Sequence, residues 1–393
     1  MNRTSIIYLL PLGICFVLAS CSGQTSPVKA SNSSADRVVI GGPFENSEYG
    51  MIDQPATIMS VDTSPGWNQP GQKLLITGTM YQNDGKTPAA GVVLYYYHTN
   101  VAGRYQASPS LNPQVSRHGY IRGWVKSDEQ GKYAIYTVRP GAYPGTDEPA
   151  HIHPSIYEPG LEQPYYLDEF VFDDDPLLTS AKRRRMLNRG GSGVLRTVRQ
   201  GDLEVARHDV ILGLNIPAYP SGQERSSISG PAIGEDLFSF RPYHAWGPDE
   251  NTRTCPICKY GKGYGVLCFV GPNHNPKELT DWLRYFESIG RFRPEMNVFF
   301  IFSGQPSGRL RQLGQQLNLH SVALTSVPGF RDTNSEIHHY ALDSQLAFTM
   351  LIYRNSNVID RYQNTELVIP PAVEIEASLS RAGQEIKLSR LPD

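Results

Sequence analysis

The chain has 393 residues, of which 19% are charged, and its formal net charge at pH 7 is -2. A charge balance this close to neutral gives no electrostatic basis for nucleic-acid binding. The length exceeds what one hydrophobic core usually organises and suits two domains.

The amino terminus has the pattern of an export signal. In MNRTSIIYLLPLGICFVLASCSGQ, one arginine precedes an apolar run from Ile6 to Ala19, and small residues precede Cys21. The run is too short for a comfortable membrane span and predicts a signal peptide over residues 1–20. LASC resembles the lipobox of bacterial lipoproteins, which implies cleavage before Cys21 and lipidation of its thiol. The alternative is an ordinary signal peptide with an incidental cysteine.

The resemblance to a lipobox also implies where the protein is located in the cell. Ser22 stands where aspartate would favour the inner membrane, so we expect a lipid anchor in the cell envelope, on the outer membrane facing the periplasm. Lipid chains on one residue hold a protein at a membrane without a spanning helix. Residues 21–37 are polar and rich in serine, which predicts a flexible tether.

Residues 38–217 alternate strand-forming segments with turn signals. Tyr, Val, Ile and Thr are frequent, and NDGKTP marks a tight turn between two strands. The pattern predicts an antiparallel, all-β sandwich. Asp175 as cap, Pro176 as first residue and two terminal glycines predict one helix over DDDPLLTSAKRRRMLNRGG. We expect its basic run, Lys182 to Arg185, to be a solvated face.

Two histidines stand one residue apart in PAHIH. On an extended chain His151 and His153 share a face, while Ile152 points into apolar packing. Two imidazoles on one face can bind one metal ion, and two surface histidines are the alternative. Pro154 directly after them predicts a strand edge or an early strand end. His98 and His118 are predicted to be structural or surface residues.

Three segments, taken together, resemble one enzyme family. GTMYQNDGKTPAAGVVLYYYHTNVAGRY, RGWVKSDEQGKYAIYTVRPGAYP and PAHIH follow one another as in the intradiol ring-cleavage dioxygenases, the catechol and protocatechuate dioxygenases. The resemblance covers about half of the chain. It implies a β-sandwich that binds a non-haem ferric ion, Fe(3+), through Tyr105, Tyr143, His151 and His153. Phenolate is a hard anionic donor that suits ferric iron, and imidazole suits iron as well.

The same resemblance implies the reaction. O2 cleaves a catechol between its two hydroxylated carbons, giving a muconate-type product, with Tyr105 as proton acceptor. The family usually has arginine before PAHIH, where this chain has Glu148. A carboxylate there opposes negative charge on the substrate ring, and losing one such stabilising group costs about 3 kcal/mol of barrier. We therefore treat Glu148 as a catalytic position that sets whether the chain is active.

Further acidic residues lie near the proposed site in sequence. Asp168 and Glu169 align with a Thr-Gln pair of the family, and Asp147 and residues 173–175 add carboxylates. We expect an acidic mouth that favours a neutral or cationic catechol.

The remainder of the chain predicts a linker over 218–245, an α/β domain over 246–375 and a tail over 376–393. Strands and helices alternate and end in a hairpin and a helix, an order that resembles the thioredoxin fold. The pair Cys255 and Cys258, in CPIC, precedes the first strand of that domain instead of following it. This position favours a structural disulfide or a free pair of thiols over a redox pair. A zinc site using Cys268 or His244 is a third alternative.

Three functions remain open at this point. They are a lipid-anchored ferric dioxygenase with a thioredoxin-like domain, a non-catalytic metal- or ligand-binding β-sandwich, and an envelope thiol-disulfide protein. The set of two tyrosines and two histidines favours the first, and Glu148 weighs against it.

Overall fold

The computed structural model describes residues 39–42, 47–220, 229–363 and 372–384, which all lie in one compact unit. The predicted signal peptide, the lipidation site Cys21 and the tether lie outside these residues. So do residues 221–228 of the predicted linker and 385–393 of the predicted tail. Within the described ranges, no helix combines the length and the apolar character needed to cross a membrane.

Two sheets make up the first half of the molecule. Their strands, in chain order, are β1 (Val61–Thr63), β2 (Lys73–Tyr81), β3 (Val93–His98), β4 (Arg122–Lys126), β5 (Lys132–Val138), β6 (His151–Tyr157), β7 (Tyr165–Tyr166), β8 (Phe170–Phe172), β9 (Val194–Leu195), β10 (Val198–Gln200), β11 (Leu203–Arg207) and β12 (Val210–Ile211). One sheet has the order β1-β5-β2-β11-β10, with β12 also on β2. The other has the order β4-β3-β6-β8-β9, with β7 also on β6.

The two sheets share one hydrophobic core. Leu74 and Ile76 of β2 belong to the same buried cluster as Leu94 of β3 and Ile152 of β6. Side chains alternate along each strand, so the apolar members face the partner sheet. The predicted β-sandwich is confirmed. Its pairing is mixed, because β5 runs parallel to β1, β11 parallel to β2, and β9 parallel to β8.

The helix of this half starts later than predicted. Helix α1 spans Ser180–Arg185, and the Thr179 hydroxyl caps it by accepting a hydrogen bond from the Lys182 amide at 3.2 Å. The predicted start at Asp175 and Pro176 is wrong, and so is the predicted end at Gly190 and Gly191, because the helix ends at Arg185. The Asp175 carboxylate accepts hydrogen bonds from the amides of Leu177 and Ala150, so it serves a turn and a neighbouring segment instead of a helix.

A third sheet forms the second half. Its elements, in chain order, are β13 (Tyr243–Trp246), α2 (Pro256–Tyr260), β14 (Tyr264–Val270), α3 (Pro276–Phe292), β15 (Met296–Ser303), α4 (Ser307–Leu317), β16 (Val322–Val327), β17 (Phe348–Arg354), β18 (Asn357–Gln363) and α5 (Ala372–Ala382). The strand order is β13-β16-β15-β14-β17-β18. β14, β15 and β16 are parallel, and β17 and β18 form the predicted hairpin. The thioredoxin-like assignment stays a prediction.

The third sheet is buried on both faces. Helices α3, α4 and α5 cover one face, with Trp282 and Phe286 of α3 fully buried there. Leu237 and Phe240 pack against the other face. The segment predicted as a linker therefore packs against this sheet from position 229, and β13 starts inside it. Helix α5 extends into the predicted tail. The domain boundaries themselves stay predictions.

Several ion pairs join the halves, and in two of them both side chains are largely buried. Nη2 of Arg354, at the end of β17, lies 2.8 Å from Oδ2 of Asp209, which directly precedes β12. The Arg196 guanidinium binds both carboxylate oxygens of Asp236, at 3.1 and 3.0 Å. All four side chains are at most 16% exposed.

Candidate metal centre

Strand β6 places the two histidines of the site. His153 pairs with Tyr97 of β3, and Ile152 lies in the sandwich core, so His151 and His153 both point to the outer face of the sheet. This is the arrangement that strand alternation predicts. His151 is buried, and the side chain of His153 is 18% exposed.

Pro154 lies in the middle of β6, which makes the prediction of an edge or an early end wrong. On the side opposite β3, β8 pairs with β6 only up to Ile152, and β7 pairs from Ser155 onward. Proline has no amide hydrogen to donate, so a break in the ladder beside it costs nothing. Residues 167–169 leave the sheet at this break, and this brings Glu169 close to His153.

The two tyrosines come from loops that touch each other. Tyr105 follows β3 and Tyr143 follows β5. Asn100 organises the contact: its side-chain oxygen accepts from the amides of Ala102 and Arg104, and its carbonyl accepts from Gly141. Gly103 has φ +70°, and a Cβ there would lie 1.8 Å from the carbonyl oxygen of Ala142. Only glycine permits this approach, which positions both loops.

Four donor atoms converge at this point. The Tyr105 and Tyr143 hydroxyl oxygens are 2.6 Å apart, and Nε2 of His153 lies 2.9 Å from the first and 3.3 Å from the second. Nε2 of His151 lies 3.1 Å from the Tyr143 oxygen and 3.1 Å from Nε2 of His153. Ligands bound at about 2 Å to one ion are separated by distances of this size. The structure thus brings together all four residues predicted to hold the metal.

The histidine tautomers fit a cation. Nδ1 of His151 is 2.7 Å from the Pro149 carbonyl oxygen, and Nδ1 of His153 is 3.2 Å from a carboxylate oxygen of Glu169. Each Nδ1 therefore carries the hydrogen and donates it. Both Nε2 atoms then present lone pairs to each other at 3.1 Å. One cation can accept both lone pairs together with those of the two tyrosine oxygens, so the residues present fit a bound metal. Without a cation, the Tyr105 and Tyr143 hydroxyls can donate to these nitrogens, at 2.9 and 3.1 Å.

Glu169 is the member of the site whose role the sequence did not predict. His151, His153 and Glu169 form the one group of three His, Cys, Asp or Glu residues in the described part of the chain that could hold a metal. Glu169 binds the outer nitrogen of His153, which is the position of a carboxylate that orients a metal-binding imidazole. Burial alone would raise the pKa of Glu169, but the bond to His153 lowers it below its usual value.

The surroundings of the site disfavour the deprotonated form of its two tyrosines. Burial raises the pKa of both Tyr105 and Tyr143, so without a cation both phenols stay protonated at neutral pH. Binding of a metal ion reverses this, because a coordinated acid loses its proton at a much lower pH. The chemistry of the donor set is consistent with a highly charged ion.

An aromatic stack supports the site from behind. The Tyr97 ring lies between His153, at 4.6 Å between ring centroids, and His118, at 3.7 Å. His118 binds the Tyr95 hydroxyl, and His98 binds the Thr137 hydroxyl. Burial lowers the pKa of His98 and of His118 to about 4. Both are structural histidines, and neither joins the four donors.

A cleft of about 530 Å³ lies beside the centre and differs from the acidic mouth that we expected. Its acidic residues Glu148, Asp168 and Glu169 face the basic residues Lys182, Arg185 and Arg189. Three of the other carboxylates are paired with cations: Asp147 with Lys182, Asp173 with Arg183 and Asp174 with Arg139. The mouth is mixed in charge because α1 folds over it, so its basic run is more than a solvated face. Glu148 is exposed on the wall of this cleft.

The cysteines of the second half lie apart from this centre. Cys255 and Cys258 form a disulfide, and Cys268 is a buried free thiol in β14. His244 uses both ring nitrogens on the carbonyls of Pro248 and Thr254. Among the described residues, no zinc-type cluster forms around these side chains.

Comparison with known proteins agrees with this geometry. Residues 42–188, which contain all four donor residues, match the family model Dioxygenase_C, described as dioxygenase. The same part of the chain is similar in sequence to catechol and protocatechuate dioxygenases. Catechol 1,2-dioxygenase 2 of Acinetobacter lwoffii is 27% identical over an alignment of 141 positions, and the match covers 29% of this chain and 50% of that protein. The protocatechuate 3,4-dioxygenase beta chain of Burkholderia cepacia is 26% identical over 160 residues, 36% of this chain and 65% of that protein.

The similarity is partial in extent. The chain spans about half to two thirds of the length of these two relatives. Among solved structures, the dioxygenase domain of a dioxygenase–carbohydrate-binding fusion protein from Streptomyces sp. has a TM-score of 0.31 and 20% identity, covering 44% of this chain and 93% of that one. The 3-chlorocatechol 1,2-dioxygenase of Rhodococcus opacus has a TM-score of 0.29 and 19% identity, covering 40% and 68%.

Proposed function

We propose that the protein is a ferric-iron-dependent dioxygenase that cleaves a catechol-type diol with O2 between its hydroxylated carbons, giving a muconate-type product. The observation that carries the proposal is the convergence of four donor atoms from Tyr105, Tyr143, His151 and His153. Two phenolates and two imidazoles suit ferric iron, whereas ferrous oxygenases use a set of two histidines and one carboxylate. The relationship of residues 42–188 to intradiol dioxygenases supports the same conclusion.

The protein side chains divide the work. Tyr143, His151 and His153 would hold the ion, and Glu169 fixes the ring of His153 so that Nε2 points inward. When bound, ferric iron would draw electron density from a coordinated diol and make its ring reactive toward O2. Tyr105 would also hold the ion as a phenolate before substrate binds, and as a phenolate it could accept a proton from a catechol hydroxyl. Its oxygen lies 2.6 Å from the Tyr143 oxygen and 2.9 Å from Nε2 of His153, so it is close to any diol at the centre.

The cleft sets the substrate environment. Apolar side chains from Leu167, Val171 and Leu178 line it together with both kinds of charge. An aromatic ring can pack on the apolar part while its hydroxyls face the donors. Because the mouth is mixed in charge, the structure gives no reason to prefer a neutral or cationic catechol over others.

Colour and iron content test the metal site. Ferric–phenolate charge transfer gives visible absorption, so protein expressed with ample iron should be coloured and contain iron. Tyr143→Phe and His153→Ala should lose both. Tyr97→Phe is the matched control, because Phe keeps the ring that stacks on His153 and removes no donor atom. Iron-free, colourless wild-type protein after iron loading would overturn the proposal.

A non-catalytic binding role is the second candidate, and Glu148 favours it. An exposed carboxylate on the wall of the cleft opposes negative charge on a ring bound there. Oxygen uptake separates the two candidates. Iron-loaded protein that consumes O2 with any member of a catechol panel is an enzyme, and coloured protein that consumes none is a binding module.

We also propose that Cys21 is lipidated and anchors the protein in the cell envelope. The support is the sequence alone: a short apolar run, LASC, and a polar segment after it. Labelling of cells with an alkyne fatty acid should mark the wild-type protein and not Cys21→Ser. An unlabelled wild-type protein in the soluble fraction would contradict the anchor.

A further inference from the structure

The disulfide of the second half opens into a cavity between the two halves. The cavity has a volume of about 250 Å³, and Cys258 is part of its wall, with α1 residues Arg183 and Arg184 among its other lining residues. The two cysteines differ in accessibility: Cys258 is exposed, whereas Cys255 is 7% exposed. The Cys258 side of this disulfide is therefore the accessible side, and the Cys255 side is buried.

We propose that Cys255–Cys258 is a thiol–disulfide exchange site, separate from the iron chemistry, in which Cys258 is the sulfur that is attacked. A thiolate entering the cavity meets Cys258 first, because Cys255 lies behind it. Cys255 is equipped to leave, since its sulfur accepts a hydrogen bond from the Cys258 amide at 3.0 Å. A hydrogen bond to a leaving thiolate stabilises its charged form.

The structural alternative is weak on physical grounds. The cysteines are separated by three positions, so the bond closes one of the shortest loops that a disulfide can close. The stabilisation that a disulfide gives through chain entropy grows with loop length and is small here. Exposed disulfides are also the readily reduced ones, in contrast to buried structural bonds.

A thiol supplies the electrons for this exchange, in two steps. The first thiolate attacks Sγ of Cys258, the S–S bond breaks, and Cys255 departs as a thiolate that takes a proton from water. A second thiolate attacks the mixed disulfide on its outer sulfur and releases Cys258. Two thiols are oxidised to one disulfide, and the protein disulfide gains two electrons and two protons.

The cavity wall indicates the chemistry of the thiol. Four cations, Arg183, Arg184, Arg196 and Lys262, line it together with three carboxylates, Asp173, Asp236 and Glu336. Asp173 and Asp236 are paired with Arg183 and Arg196, whereas Arg184 and Lys262 form no ion pair with any residue that the structure describes. Ile257 and Phe238 supply an apolar surface beside them. Free cations at the mouth raise the local concentration of anions, so the site should prefer a small peptide thiol of net negative charge.

The order of the two cysteines distinguishes this site from a thioredoxin-type pair. The pair precedes β14, and the accessible sulfur belongs to the second cysteine of the motif. The proposal therefore depends on burial and on the cavity wall, and needs no relationship to thioredoxins.

The test uses the full chain and two serine variants. Oxidised glutathione should form a mixed disulfide on Cys258 in Cys255→Ser, and none on Cys255 in Cys258→Ser, as located by peptide mapping. Modification of Cys255 in a folded Cys258→Ser variant, or no modification of Cys258 in a folded Cys255→Ser variant, would refute the assignment.

The rate at which thiols reduce the wild-type disulfide is a second test, and it does not depend on whether the variants fold. Reduced glutathione should reduce the bond under native conditions faster than the protein unfolds, and about tenfold faster than cationic cysteamine after correction for thiolate fraction. Lys262→Glu should remove the preference for the anionic thiol. Reduction only at the rate of global unfolding would show that the disulfide is structural. Equal reduction rates with glutathione and cysteamine would show that the site does not prefer an anionic thiol.

Discussion

Nδ1 of His153 lies 3.2 Å from a carboxylate oxygen of Glu169, and this contact fixes which nitrogen of His153 faces the other donors. Loss of such an outer carboxylate typically lowers metal affinity 10–100-fold. We expect Glu169→Ala to lose iron affinity in about this range, measured by competition with a chelator. Glu169→Gln should lose less, because an amide oxygen still accepts the hydrogen bond. Wild-type affinity in Glu169→Ala would show that the contact does not orient the ligand.

The exposed carboxylate of Glu148 should slow catalysis. Replacement by arginine turns an opposing charge into a supporting one, and one well-placed group of this kind is worth about 3 kcal/mol, or roughly a hundredfold in rate. We expect Glu148→Arg to raise kcat/KM for catechol by up to this factor at unchanged iron content. Glu148→Gln removes the charge alone and should fall between the two. A lower kcat/KM for the arginine variant would contradict this role.

Asp175 ties the histidine strand to the segment before α1. Its carboxylate accepts from the amide of Ala150 at 2.8 Å and from that of Leu177 at 2.8 Å. Hydrogen bonds to charged groups contribute about 1.5–3 kcal/mol each, so Asp175→Ala should lower the free energy of unfolding by about 3 kcal/mol. Urea denaturation measures this. Asp175→Asn keeps an acceptor and should recover part of the loss, and an unchanged denaturation midpoint in Asp175→Ala would contradict the role.

His208 should make stability depend on pH. Burial lowers its pKa from 6.5 to about 4, against the opposing effects of Asp209 and the Ser192 carbonyl. The unfolded chain therefore binds a proton that the folded protein does not, and stability falls as pH decreases from 6.5 to 4. The slope for one histidine is about 1.4 kcal/mol per pH unit.

Unfolding free energies between pH 7 and 4 test this. His208→Phe should show a shallower slope than wild type, although its absolute stability also changes because the bond to Ser192 is lost. A slope remains because burial lowers the pKa of His98 and His118 in the same way. Identical slopes in the two proteins would show that His208 is not buried in its neutral form.

Replacing either Arg196 or Asp236 alone should destabilise the protein more than replacing both residues together. Both side chains are 9% exposed, so removing one leaves a buried charge without its main partner. Such a change costs about 3–5 kcal/mol, whereas replacing both residues with apolar ones costs far less. A double-mutant cycle of Arg196→Met and Asp236→Leu measures this in urea. Additive effects of the two changes would show that the pair is not coupled.

The sequence was sufficient for those features that depend on local pattern. The shared face of His151 and His153 follows from strand alternation, with Ile152 in the core as the confirming signal. The hairpin of β17 and β18 follows from turn residues. The tyrosine positions came from family resemblance alone, because loops such as the one around Gly103 have no periodicity that brings Tyr105 to Tyr143.

Features that depend on tertiary contacts could not be derived. The start of α1 was misplaced because Asp175 binds the amide of Ala150, a residue 25 positions away. Glu169 was noted only as a departure from the family. Its approach to His153 depends on the gap beside Pro154, which a single sequence does not show. The predicted linker contained a usable signal, since Leu237 and Phe240 are apolar in an otherwise polar stretch.

The buried ion pairs between the two halves affect whether either half could fold alone. Removing the α/β half would take Arg354 from Asp209, and a cut before residue 229 would take Asp236 from Arg196. The α/β half alone would keep Arg354 and Asp236 without the first-half residues that pair with them. In the other half, Asp209 would keep Arg207 at 3.3 Å, and Arg196 would keep only a longer contact of 3.9 Å with Asp173. We therefore expect the two halves to fold together, and the half that carries the four donor residues to need a redesigned surface before it could be produced alone.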